Sequence, residues 1–161
     1  MNYHRIESTN LSNGIGWRVV LWVSGCEHHC EGCHNPETWD YNSGKPFGKR
    51  ELHKILDFMS KPYVKGLTIS GGDPLAPQNR DEILSILKVV KEEFPDKDIW
   101  LYTGYNYEDV CDLDILKYVN VLVDGKFILS QRDITLPFRG SLNQRIIKLK
   151  NGEYDGNYDF S

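Results

Sequence analysis

The sequence lacks any long hydrophobic run. Its longest, Val19 to Val23, is five residues, far short of the roughly 20 that cross a bilayer as a helix. No membrane partner is expected. It also lacks an excess of basic charge: 19 Lys and Arg against 23 Asp and Glu leave a net charge of −4, which argues against nucleic acid as the main partner. Met1 to Ile6 has no charged-then-apolar secretory pattern, so a cytoplasmic, reducing location is expected. Cysteine is scarce, four in 161 residues, and a chain of this length buries enough surface to need no disulfide staple. The cysteines are therefore expected to be thiols or metal ligands, and three of the four fall within eight positions.

What is present is an alternation of strand and helix signals. Trp17-Arg-Val-Val-Leu-Trp-Val23 is apolar and β-branched and closed by Ser24-Gly25, as suits a strand buried on both faces. Leu52, Ile55, Leu56 and Met59 stand at helical spacing, and Gly66 to Ser70 reads as a short strand. Pro74 and Pro77 forbid a helix before about Asn79, and Ile83, Leu87, Val90 and Phe94 then mark an amphipathic helix that Pro95 stops. Asp98 to Tyr102 is a third strand, Tyr107 to Lys117 a helix, and Val119 to Asp124 a fourth strand, with Gln144 to Leu149 as a late one. This order predicts an α/β fold with right-handed crossovers and a mostly parallel sheet. The length allows at most an incomplete, open barrel of the TIM type, since a full one takes about 250 residues. One domain is expected over 1–150. Residues 151–161, with three acids, three aromatics and little periodicity, are expected to be a flexible, solvated tail.

Cys26-Glu-His-His-Cys30-Glu-Gly-Cys33 is C-x3-C-x2-C on the loop after the first strand. Three thiolates so close can converge on one inorganic centre. Spacing alone leaves three centres open: a structural zinc with His28, His29 or His34 as fourth ligand, a catalytic zinc with water, or an iron–sulfur cubane held through three irons. Cys111, inside the third helix, reads as a small buried hydrophobe.

Ser70-Gly71-Gly72-Asp73 follows the second strand, and its two glycines let a backbone approach a ligand closely. Asp73 either adds charge there or fixes the turn by bonding its own backbone. Ser24-Gly25-Cys26, Ser70 to Asp73, Thr103-Gly104-Tyr105 and Asp124-Gly125-Lys126 each begin where a predicted parallel strand ends. All four therefore fall on the carboxyl edge of the sheet, where α/β proteins bind ligands.

The cysteine loop, followed about 40 residues later by Ser70-Gly71-Gly72-Asp73-Pro74, resembles the radical S-adenosylmethionine enzymes. Asn13-Gly14-Ile15-Gly16, Cys30-Glu31-Gly32-Cys33-His34-Asn35, Thr38-Trp39, Pro77-Gln78-Asn79, Trp100 to Tyr105, Val123 to Phe127 and Arg139-Gly140-Ser141-Leu142-Asn143-Gln144 together resemble one family within them, the small activating proteins of the anaerobic class of ribonucleotide reductase. Gly32 replaces the aromatic residue common before the third cysteine, as in the small activases, and His34 stands where these often carry Tyr.

The resemblance implies that Cys26, Cys30 and Cys33 hold a [4Fe-4S] cluster, their catalytic and metal-binding role. It implies that S-adenosylmethionine chelates the fourth iron and is bound around Gly32, Cys33, His34, Ser70, Gly71, Gly72, Asp73, Thr103 and Lys126, with His34 packing against the adenine. The implied reaction is reductive cleavage to a 5′-deoxyadenosyl radical that makes a glycyl radical on the anaerobic ribonucleotide reductase, with a flavodoxin-like electron donor. Rival readings are an activase of another glycyl-radical enzyme, a small-molecule radical enzyme, and a zinc-binding interaction module.

Overall fold

The computed structural model describes residues 1–158. Its strands are β1 (Asn2–Asn10), β2 (Arg18–Val23), β3 (Lys45–Pro46), β4 (Gly66–Gly71), β5 (Asp98–Tyr102), β6 (Val121–Asp124), β7 (Arg145–Lys150) and β8 (Glu153–Asn157). The helices are α1 (Lys49–Met59), α2 (Arg80–Glu93) and the single turn α3 (Tyr107–Val110). The fold is mixed α/β, with all eight strands in one sheet ordered β3-β1-β2-β4-β5-β6-β7-β8.

The centre of the sheet, β2-β4-β5-β6, is parallel. Leu21 pairs with Ile69, Ile69 with Leu101, Leu101 with Leu122, and Leu122 with Ile147 on β7. This row lies in the main core, to which α1 contributes Ile55 and Met59 and α2 contributes Ile83, Ile86, Leu87 and Val90. Side chains alternate across a strand, so Val20, Thr68, Trp100 and Val121 line up in register on the opposite face. Loops rather than helices cover that face: Phe138 packs edge-on against Trp100 at 5.4 Å, and Tyr102 Oη donates to the Phe138 carbonyl at 2.6 Å.

The expectation of a mostly parallel sheet is corrected. Three pairings are parallel, and the four others, β1–β2, β1–β3, β6–β7 and β7–β8, are antiparallel. The reason lies in the connections. No crossover helix links β1 to β2, and β7 turns into β8 through Asn151-Gly152, with φ of 54° and 82°. Two such residues favour a tight hairpin turn, which can join only antiparallel strands. The same turn leads residues 153–157, within the stretch expected to be a solvated tail, into β8, a largely exposed strand paired to β7; 159–161 lie outside the described residues.

The predicted helix from Tyr107 to Lys117 is also different. It stops at Val110, and after Leu113 in extended conformation a 3₁₀ turn covers Asp114–Tyr118. In a straight helix Ile115 and Leu116 would stand about 140° and 240° around the axis from Val110. The break lets all three side chains reach the core. Cys111 follows α3 and is exposed, which corrects its reading as a buried hydrophobe.

Candidate functional site

The carboxyl ends of β2, β4, β5 and β6 open into one cleft of about 450 Å³, lined by Cys26, Cys30, Cys33, His34, Ser70, Gly71, Gly72, Thr103, Gly104 and Gly125. The far wall comes from the segment after β6, through Phe127, Leu136, Phe138, Arg139, Gly140 and Gln144, and from Ser12 and Asn13. Among the described residues, Arg139 is the only Lys or Arg in this lining, and no Asp or Glu is part of it.

The cysteine loop is built by local hydrogen bonds. Gly25 N donates to Thr38 O at 2.6 Å and Cys26 N to Trp39 O at 3.1 Å, so the loop returns alongside its own start. Cys33 N donates to Cys30 O at 3.1 Å, and Asn35 N donates to Cys33 Sγ at 3.4 Å. All four cysteines are free thiols. Burial pushes the Cys26 thiol up to about 11, partly opposed by the backbone N–H groups of His28 and His29. Burial also raises Cys30, against a backbone N–H from Phe127. The bare loop therefore favours thiols, and a positively charged metal core is what would convert them to thiolate ligands. Backbone N–H groups aimed at sulfur, three cysteines on one cleft and a glycine-lined opposite wall suit an iron–sulfur cluster.

The three histidines of the loop each have a partner, and two of them, His28 and His34, also line the cleft. His28 Nε2 lies 2.6 Å from Asp73 Oδ2, His29 stacks on Trp39 with ring centroids 4.5 Å apart, and His34 meets the edge of Phe127 at 5.3 Å. Among the described residues no group of three or more His, Cys, Asp and Glu is placed to hold one metal ion. A cubane does not require that, because each cysteine binds its own iron.

Of the predicted ligand contacts, Cys33, His34, Ser70, Gly71, Gly72 and Thr103 line the cleft, whereas Gly32, Asp73 and Lys126 do not. Gly32 turns the loop at a φ of 76°, with Leu129 and Phe127 packed where a Cβ would sit. Lys126 is exposed, its carbonyl accepting from Asn143 Nδ2 at 2.7 Å. Asp73 is buried behind the cleft. Asp124 is buried too, accepting from Tyr107 N at 2.8 Å and pairing with Arg145.

Sequence reasoning gave no role to Asn79 or to the wall residues. Asn79 stands directly before α2, and its Nδ2 donates to Ser24 O at 2.9 Å and Asp73 O at 3.1 Å. Arg139 and Gln144 belong to the Arg-Gly-Ser-Leu-Asn-Gln motif, which the sequence marked only through the family resemblance.

Residues 12–147 match the family model described as "4Fe-4S single cluster domain", which makes the chain an iron–sulfur protein. The chain is 49% identical over 146 residues to the anaerobic ribonucleoside-triphosphate reductase-activating protein of Enterobacteria phage T4, covering 91% of this chain and 93% of that protein. Identity to the protein of the same name is 45% over 150 residues in Vibrio cholerae (91% of this chain, 97% of that one). In Escherichia coli K12 it is 42% over 154 residues (93% and 100%). The chain belongs to the family of anaerobic ribonucleoside-triphosphate reductase-activating proteins, with a 4Fe-4S single cluster domain. Among the described residues no helix is long and apolar enough to cross a membrane.

Proposed function

We propose that the chain is the activase of an anaerobic ribonucleoside-triphosphate reductase and acts through S-adenosylmethionine bound beside its [4Fe-4S] cluster. The carrying observation is the meeting of the cysteine loop with Gly71-Gly72, Thr103-Gly104 and Gly125 on one cleft at the carboxyl ends of four parallel strands. When bound, cluster and sulfonium together supply reductive cleavage to methionine and a 5′-deoxyadenosyl radical, which takes a hydrogen from the α-carbon of a glycine in the reductase.

The chain's own residues bind, orient and exclude water. Cys26, Cys30 and Cys33 would hold the cluster through their thiolates. Gly71 is suited to a close main-chain approach: its φ is 106°, and a Cβ there would sit 2.5 Å from Val23 N and O. Ser70, Gly71 and Gly72 serve the methionine end of the ligand, His34 with Phe127 the adenine, and Lys126, exposed beyond the cleft, the protein partner. The parallel strands form the wall of an incomplete, open barrel whose cleft at the strand ends admits the glycine-bearing peptide. Electrons come from a flavodoxin-like donor in the reducing cytoplasm, a setting that suits four free thiols.

Anaerobic reconstitution tests this reading. The expected product is a brown protein with roughly four irons per chain that forms 5′-deoxyadenosine on reduction and, with the reductase present, a glycyl-radical signal on that partner. A colourless protein with one zinc, or deoxyadenosine formation with no radical on the reductase, overturns it.

A further inference from the structure

Asp73 is 1% exposed and its carboxylate accepts from four groups. Oδ1 takes Leu75 N and Thr103 Oγ1, each at 2.9 Å. Oδ2 takes His28 Nε2 at 2.6 Å and Gly104 N at 2.9 Å, with Thr103 Oγ1 also 3.1 Å away. A carboxylate offers about four lone-pair sites, so no acceptor capacity remains for a ligand's ammonium group. The bond to Leu75 is the ordinary turn contact of an Asp in this position. The bond to His28 is different, since it reaches across 45 residues to the middle of the cysteine loop. The His28 side chain forms part of the cleft lining but is only 7% exposed, with Tyr105 at 4.6 Å on its edge.

We propose that His28 and Asp73 are positioning residues forming a latch that sets the cysteine loop against the Gly71-Gly72 and Thr103-Gly104 loops, Asp73 acting through His28 and not as a ligand. His28 lies midway between Cys26 and Cys30, so fixing its ring fixes the arc of chain that carries both thiols. Asn79 ties the same two loops a second time through Ser24 O and Asp73 O, which leaves the histidine side as the adjustable half. Partners behind metal ligands orient those ligands in this way. The inference rests on reading the cleft as the cluster and S-adenosylmethionine site.

The test compares wild type, His28→Ala, His28→Gln, Asp73→Asn and the double variant His28→Ala/Asp73→Asn after anaerobic reconstitution. It reads iron per chain, the electron paramagnetic resonance spectrum of the reduced cluster with and without S-adenosylmethionine, and the dissociation constant of that ligand. Wild type that holds no iron, or does not bind the ligand, fails the site reading itself. With wild type intact, His28→Ala should weaken ligand binding roughly 10–100-fold and alter the spectrum. His28→Gln, which keeps a side-chain N–H, should restore most of both, and the double variant should bind no more weakly than Asp73→Asn alone. Unchanged affinity and spectrum in His28→Ala, or losses that multiply in the double variant, overturn the latch. If Asp73→Asn fails to fold, Gly104→Ala probes the latch from the other side, because its Cβ would stand 2.5 Å from His28 Cδ2. It should reproduce the His28→Ala loss, with no further loss when the two are combined, and wild-type affinity in Gly104→Ala overturns the proposal.

Discussion

Arg18 Nη1 lies 2.7 Å from Asp98 Oδ1, and the guanidinium is fully buried at the start of β2. Its Nε donates to Thr68 Oγ1 at 2.7 Å, Nη1 to Ile15 O at 3.0 Å and Nη2 to Leu67 O at 3.1 Å. Arg18 thus joins β2, β4 and β5 at the end of the strands opposite the cysteine loop. Breaking a buried pair leaves groups without partners, so Arg18→Met should lower stability by roughly 3–5 kcal/mol. Urea unfolding of the two proteins measures this, and a loss below about 1 kcal/mol would show that the pair contributes little.

The four cysteines should separate into two classes. Replacing Cys26, Cys30 or Cys33 by Ala should abolish full cluster assembly, read as iron and sulfide per chain after reconstitution. Cys111→Ser, at an exposed site, should keep iron at the wild-type level and change stability by less than about 0.5 kcal/mol.

Gly71→Ala should both destabilise the chain and impair the cleft. A side chain at a φ of 106° meets the main chain of Val23, and backbone cannot step aside as a flexible side chain can. The left-handed conformation alone costs roughly 1–2 kcal/mol, which calorimetry would register as a lower Tm. Ligand titration of the folded fraction should show weakened binding, and wild-type values in both measurements would remove the role given to this close approach.

Glu108 should give a pH dependence below neutrality. Its two oxygens accept from Arg145 at 2.9 and 2.8 Å, which holds its carboxyl down to about 2 from an ordinary 4.5. Because the folded value is the lower one, the stabilisation is complete above about 4.5 and is lost as pH falls toward 2. The Glu108 side chain is 64% exposed, so solvent screening limits the effect to about 1 kcal/mol or less. Denaturation of wild type and Glu108→Gln should show a gap near pH 6 that shrinks by about pH 3. A gap that stays constant would assign the difference to something other than the charge.

The sequence by itself determined the elements bounded by local punctuation and the place of the cysteine loop. Pro74, Pro77 and Pro95 confine α2 because a missing N–H and a fixed φ act on adjacent residues. The glycine-bearing turns after β2, β4, β5 and β6 share one edge because these strands run parallel, so all their carboxyl ends fall on the same side. The Asn151-Gly152 pair is a local hairpin signal that the reading of 151–161 as a tail passed over, since it weighed only the weak periodicity of the residues after it. Only the tertiary structure decided the rest. Strand β1 carries little apolar periodicity and forms because β2 offers it a partner, α3 breaks where three side chains must reach one core, and the segment from Phe127 to Gly140 becomes the wall of the cleft. Asp73 lies behind that cleft, bonded to His28 in its lining, for a related reason. A buried carboxylate takes the donors that folding brings to it, and those donors lie 31 and 45 residues away in the chain, beyond the reach of any local pattern.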